Sequence, residues 1–352
     1  MKGRGSPDRP DNRYAAWSRS AVPADEDGGW WLEEAPAPET TLIVDASRSV
    51  IARNDSPDVP FDRSVNPYRG CEHGCIYCFA RPSHAYLGYS PGLDFETRIL
   101  YKPEAARLLR AELARPGYAC APMGLGTNTD PWQPAERRLG ITREILEVLA
   151  GCAHPVTIVT KSALILRDAD VLAAMAARNL VHVTVTVTTL QGDLARTLEP
   201  RAAAPQRRLR VIETLAARGV PVAVSLGPVI PALNDHEMES ILQAAAAAGA
   251  RSAIWLLLRL PLEVAPLFRA WLERHAPGRA KHVMSLLRQM HAGRENDPRF
   301  GHRMRGEGPL AGLLAKRFRL ASARHGLDAP LPPLDCTAFR RPAAGGQMDL
   351  FA

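Results

Sequence analysis

Five short apolar or β-branched runs, separated by stretches with helical spacing, occupy residues 121–258 and restrict the fold more than any other feature. The runs are 121–126, 156–160, 181–188, 220–226 and 254–258, and the third reads VHVTVTVT, the period-two alternation of a strand. Between them, 141–150, 171–177, 209–217 and 237–248 repeat apolar residues three and four apart, as a helix with one buried face requires. Connections of that length let successive strands run parallel, so an α/β fold is predicted, either a barrel or a doubly wound sheet. Beyond Pro261 only helical patterns remain, at 264–275, 282–290 and 310–324.

At 352 residues and 46% hydrophobic content the chain can bury one large core or two modest ones. No stretch approaches the ~18 apolar residues of a membrane span, and the start, Met1 to Gly5, has no secretory segment. Six cysteines are too few for a disulfide scaffold, so a reduced, cytoplasmic protein is expected. Charge divides the chain. Residues 1–40 hold five Lys/Arg against eight Asp/Glu, are rich in Pro and Gly, and read as a disordered tail. Residues 276–342 hold thirteen Lys/Arg against five acids, while the whole chain carries +7. Such a region favours nucleic acid as a partner. The compositional reading stays open, because only five of the 44 basic residues are lysines. The expected organisation is a catalytic α/β domain over 41–275, a basic helical extension over 276–340 and a flexible tail over 341–352.

The densest chemistry lies upstream of the β/α units, in Asn66-Pro-Tyr-Arg-Gly-Cys71-Glu-His-Gly-Cys75-Ile-Tyr-Cys78. Cysteines spaced C-x3-C-x2-C on one tight loop can hold three irons of a [4Fe–4S] cube and leave the fourth iron for an outside ligand. Glycines 70 and 74 permit the close wrap. Three other readings remain: zinc with His73 as fourth ligand, an electron-transfer cluster completed by Cys120, Cys152 or Cys336, and buried thiols without a metal.

The cysteine spacing ahead of β/α repeats resembles the radical S-adenosylmethionine (radical SAM) superfamily. Segments 66–84, 126–136, 159–168, 198–209 and 228–235 resemble its branch related to spore photoproduct lyase, often labelled DNA repair photolyases. The resemblance implies a partial (β/α)6 TIM-like barrel, a [4Fe–4S] cluster on Cys71, Cys75 and Cys78, and SAM on the unique iron. It also implies a low-potential electron donor, and an enzyme that generates a 5′-deoxyadenosyl radical to act on nucleic acid, as in repair of a DNA lesion. An RNA-modifying or small-metabolite radical SAM enzyme is one alternative, and a non-catalytic iron–sulfur protein that binds nucleic acid is another.

Under this resemblance Tyr77 lies beside the adenine. Thr127, Asn128 and Asp130, directly after the first run, suit the SAM amino group and ribose, or else form an Asp-Pro turn with helix caps. Lys161 is a candidate for the SAM carboxylate, Glu199 for the ribose, and Ser225 for close approach to adenine; loop and surface roles are the alternatives. Thr184, Thr186 and Thr188 share one strand face, inward or outward. Spore photoproduct lyase returns a hydrogen atom from a further cysteine, for which Cys120 is the candidate here. The tail Gln347-Met-Asp-Leu-Phe351 resembles the pentapeptide that binds the bacterial sliding clamp.

Overall fold

The computed structural model describes residues 3–6, 8–14 and 39–343. Among these, ten strands form two sheets: β1 (Thr41–Val44), β2 (Ile51–Arg53), β3 (Arg63–Val65), β4 (Tyr68–Arg69), β5 (Arg98–Tyr101), β6 (Met123–Leu125), β7 (Val156–Thr160), β8 (Val181–Thr186), β9 (Val222–Val229) and β10 (Ser252–Leu257). The larger sheet has the order β10-β9-β8-β7-β6-β3-β2, and the smaller is β1-β5-β4. In the smaller sheet, β1 is parallel and β4 antiparallel to β5; in the larger, strands β3 and β6 to β10 are parallel, each beside its predecessor, and β2 runs antiparallel against β3. A doubly wound sheet reverses its order at a switch point; this one never does.

The sheet also curls. Asp58, in the loop joining β2 to β3, accepts hydrogen bonds from Gly301 N (2.7 Å) and Arg303 Nε (2.5 Å), both in a loop that follows β10. Loops from opposite ends of the strand order thus meet, while β2 and β10 make no ladder with each other. The architecture is a partial (β/α)6 barrel.

The alternating pattern decides which side chains face which layer. Val181, Val183 and Val185 are buried against the helical layer. Thr188, two residues past β8, instead donates to Glu199 Oε1 at 2.7 Å, within 3.3 Å of Tyr77 Oη from the cysteine loop. The threonine face therefore points inward. The helix Ile141–Gly151 buries Ile141, Ile145, Leu146 and Leu149 on one side, and Pro205 opens Pro205–Ala217 at a position where no N–H is needed. Truncating one such core leucine to alanine costs about 2–5 kcal/mol.

Four expectations change. The first barrel strand is β3, which three residues (RSV) were too short to reveal. Doubly wound topology is excluded. The described residues before Tyr14 are docked rather than disordered: Gly5 N and Ser6 N donate to buried Glu96 at 2.9 and 2.8 Å, and Asn12 Nδ2 donates to Ala85 O at 2.8 Å. Residues 15–38 lie outside the described set, as does the pentapeptide Gln347–Phe351. Finally, the basic extension is helical only over Pro277–Met290 and Gly308–Arg324. Its last part is a strap beneath the amino ends of the strands, where Asp335 N donates to Asn179 O (2.9 Å) and Arg340 N to Cys152 O (2.8 Å).

Candidate cofactor site

The loop carrying Cys71, Cys75 and Cys78 leaves β3 through β4 and covers the carboxyl ends of the barrel strands. It is gripped from three sides. From the loop after β6, Gln133 Oε1 accepts from Glu72 N (2.8 Å) and Gln133 Nε2 donates to Gly70 O (3.2 Å). From the segment after β8, Ile76 N donates to Leu198 O (3.0 Å) and Arg201 N to His73 O (3.2 Å). Behind the loop, fully buried Arg81 donates to Cys75 O (3.0 Å) and Gly92 O (2.8 Å) and pairs with Glu96 at 2.5 Å. Gly74 sits at φ 67°, and a Cβ there would stand 2.7 Å from Glu96 Oε2. Only glycine fits both the conformation and the space.

The three thiols share one loop and differ in exposure. Cys71 and Cys75 are buried and Cys78 is half-buried. Burial first, and then the Asp130 carboxylate, pushes the Cys71 thiol well above its usual range; burial and Glu199 push Cys75 up to about 12. A cationic metal centre reverses that preference, because it stabilises thiolate. Among the described residues no three Cys, His, Asp or Glu side chains already stand together as a metal site. His73 lies between Cys71 and Cys75 on the loop. It is buried with Nδ1 3.4 Å from Asp130 Oδ2, and burial lowers its pKa.

The other predicted residues divide. Tyr77, Lys161 and Glu199 come together: the Lys161 ammonium lies 5.9 Å from the Tyr77 ring centre, and the Tyr77 hydroxyl donates to Glu199. Glu199 is nonetheless engaged, paired with buried Arg208 and accepting from Thr188, so its carboxylate organises the barrel interior rather than standing free for a ribose. Burial raises its pKa, but Arg208 and then Lys161 outweigh burial and hold it near about 2. Asp130 is similarly occupied, accepting from Thr160 Oγ1 (2.9 Å), Lys161 N (2.7 Å) and Trp132 N (2.9 Å). It ties the loops after β6 and β7 together. Asn128 N and Thr127 Oγ1 both meet Asn66 Oδ1, at 3.2 and 3.5 Å. Ser225, on β9, is buried beside Gly227.

Cys120 is misplaced for chemistry at this site. It precedes β6, at the amino ends of the strands, and its thiol interacts with Cys336 of the strap; burial and then Cys336 push it up to about 12. Cys152 precedes β7 at the same end. All three remaining cysteines thus lie across the barrel from the loop. Gln133, Arg81 and Arg208 are functional neighbours that the sequence pattern did not isolate, although all three stand inside the segments that carry the resemblance.

Comparison with known proteins now has a geometry to meet. The profile of the Radical SAM superfamily matches residues 65–245, which span the cysteine loop and strands β6 to β9. The chain belongs to the radical SAM superfamily. This radical SAM protein is 37% identical over 287 residues to the uncharacterized protein Rv2578c of Mycobacterium tuberculosis, covering 80% of this chain and 83% of that one. It is 26% identical over 173 residues to MJ0683 of Methanocaldococcus jannaschii, covering 49% and 62%. In fold it resembles spore photoproduct lyase complexed with dinucleoside spore photoproduct, with a TM-score of 0.59, 13% identity, and 82% and 81% of the two chains covered. The cofactors of the superfamily are a [4Fe–4S] cluster and SAM, and its chemistry needs a reductant. No helix among the described residues is long and apolar enough to cross a membrane.

Proposed function

We propose that this radical SAM protein is an enzyme that acts on nucleic acid, in the manner of DNA lesion repair, with Cys71, Cys75 and Cys78 as the cluster ligands. The observation that carries the ligand assignment is the segregation of the cysteines: three on the loop at the carboxyl ends of the strands, and Cys120, Cys152 and Cys336 at the opposite end. No fourth thiol reaches the loop, which leaves one iron open for SAM. When bound and reduced, the cofactors supply a 5′-deoxyadenosyl radical that abstracts hydrogen from the substrate.

The residues of this chain position those groups. Gln133 and Arg81 hold the carbonyls and N–H groups of the cysteine loop fixed. Lys161, partly exposed and near Tyr77, offers its ammonium to the SAM carboxylate. Tyr77, held by its hydroxyl to Glu199, is the aromatic that would lie beside the adenine. Thr127 and Asn128, just past β6, and Ser225, within β9, are the candidates for the amino group, ribose and adenine. The likeness to spore photoproduct lyase and the basic extension support nucleic acid as the substrate. Cys120, the candidate for returning hydrogen on the spore photoproduct lyase pattern, lies before β6 at the opposite end of the strands.

The test is SAM turnover by the anaerobically reconstituted, reduced enzyme with ultraviolet-irradiated duplex DNA, undamaged DNA, RNA or no addition. Stimulation of 5′-deoxyadenosine release by damaged DNA, above that with RNA, is expected. Equal turnover in all four would remove the nucleic-acid assignment.

A further inference from the structure

Arg259 stands two residues beyond β10, at the same end of the barrel as the cysteine loop. Its Cζ lies 5.4 Å from the ring centre of Phe79, the residue directly after Cys78. Phe79 is 45% exposed. Among the described residues the Arg259 guanidinium has no ion pair and no hydrogen bond, and its Nε is buried without a partner. Arg303 is committed to Asp58 (2.5 Å) and Ser56 (2.5 Å), and His291 Nε2 is within 3.1 Å of Leu258 O. Burial, followed by repulsion from Arg303, lowers the Arg259 pKa to about 10, while Asp58 offsets this only in part. The nearby carboxylate of Asp58 is thus bonded to Arg303 and not to Arg259.

A half-buried cation without an anion is costly, and proteins keep such groups where a ligand supplies the charge. Arginine matches a phosphate better than any other side chain, through two parallel N–H···O bonds. The free face of Phe79 beside it suits a flat ring, since stacking on an aromatic side chain tolerates any base. We infer that Arg259 and Phe79 form a substrate subsite for a phosphate ester with an adjoining base, next to the cysteine loop. It rests on the proposal that this end of the barrel receives the substrate. The subsite places the phosphate on the β10 side and the base against Phe79, one residue from Cys78, so that the reacting sugar or base lies over the loop. The phosphate belongs either to a nucleic-acid strand or to a free nucleotide.

The probes are a fluorescein-labelled oligothymidylate with phosphodiester links, the same strand with uncharged methylphosphonate links, and thymidine monophosphate as competitor. Binding is read by anisotropy on the full reconstituted chain at low salt. Arg259→Gln should weaken the phosphodiester strand about tenfold, equivalent to about 1.4 kcal/mol, and leave the methylphosphonate strand within about twofold. Arg259→Lys should recover part of the loss, and Phe79→Ala should weaken both strands. Competition by the mononucleotide at the strand's own affinity identifies a free nucleotide as the ligand, and competition only at far higher concentration identifies a strand. Equal affinity of wild type and Arg259→Gln for the phosphodiester strand overturns the inference, as does equal loss for both strands. Should Arg259→Gln unfold, Arg259→Lys decides: wild-type-like discrimination between the strands supports the charge, and loss of binding to both overturns it. Iron content and SAM cleavage without substrate, measured on the wild-type chain, report the radical SAM chemistry separately, so that their failure there counts against the proposed function and not against the subsite.

Discussion

Glu199 and Arg208 show how a residue type can be legible while its partner is not. A glutamate soon after β8 is placed by sequence among the cofactor contacts, but Arg208, nine positions later on the Pro205–Ala217 helix, turns back and captures it. Helical spacing carries no signal for an inward arginine. The pair is enclosed, with Arg208 also donating to Thr186 O (3.1 Å) and Ala203 O (2.7 Å). Arg208→Met would leave a buried carboxylate facing Thr188 and Tyr77 without its hydrogen-bonded counter-charge, with Lys161 alone nearby, and should cost about 3–5 kcal/mol in chemical denaturation. A loss below about 1 kcal/mol would mean that the pair is solvated. The cysteines lie at the opposite extreme. Their spacing is readable along the chain, whereas the bonds that Asp130 accepts from Thr160 and Lys161, about thirty positions away, leave no mark in the sequence around it.

At the scale of elements, the strands β7 to β10 and the helices between them followed the apolar periods to within a few residues. β3 did not, since three residues carry no period. The strap was missed for a related reason: it has no regular structure and is held by backbone bonds to loops before β7 and β8. Its anchor includes Phe339, which lies edge-on to His154 at 5.4 Å. His154 is neutral: its Nε2 accepts from Tyr118 Oη (2.7 Å), its Nδ1–H donates to Pro155 O (3.0 Å), and burial lowers its pKa from 6.5 to about 4. The unfolded chain then binds the extra proton first, so this contribution is complete above pH 6.5 and is lost as pH falls toward 4. The full loss is roughly 3 kcal/mol. His154→Gln should therefore lower the urea midpoint at pH 7 and close most of that gap at pH 5. An unchanged gap between the two pH values would contradict a neutral buried imidazole.

For the whole molecule, the charge count over residues 276–342 overstates the free cations. Arg288, Arg299, Arg303 and Arg317 of the extension pair with Glu295, Asp297, Asp58 and Glu239. Arg305, Lys316 and Arg319 instead line a 360 Å³ groove floored by Trp255 and Phe318, along the outer edge at β10. Nucleic-acid affinity should fall steeply with salt, and neutralising these three residues should flatten the log–log slope by about one unit per lost phosphate contact. An unaltered slope would move the nucleic-acid path elsewhere.

The most direct measurement is iron content and SAM cleavage in the anaerobically reconstituted chain and its six single Cys→Ala variants. The account predicts about four irons per chain and reductive release of methionine and 5′-deoxyadenosine in the wild type. Replacing Cys71, Cys75 or Cys78 should abolish both, and replacing Cys120, Cys152 or Cys336 should preserve both. An iron-free wild type, or a cluster lost with any of the latter three, would contradict it.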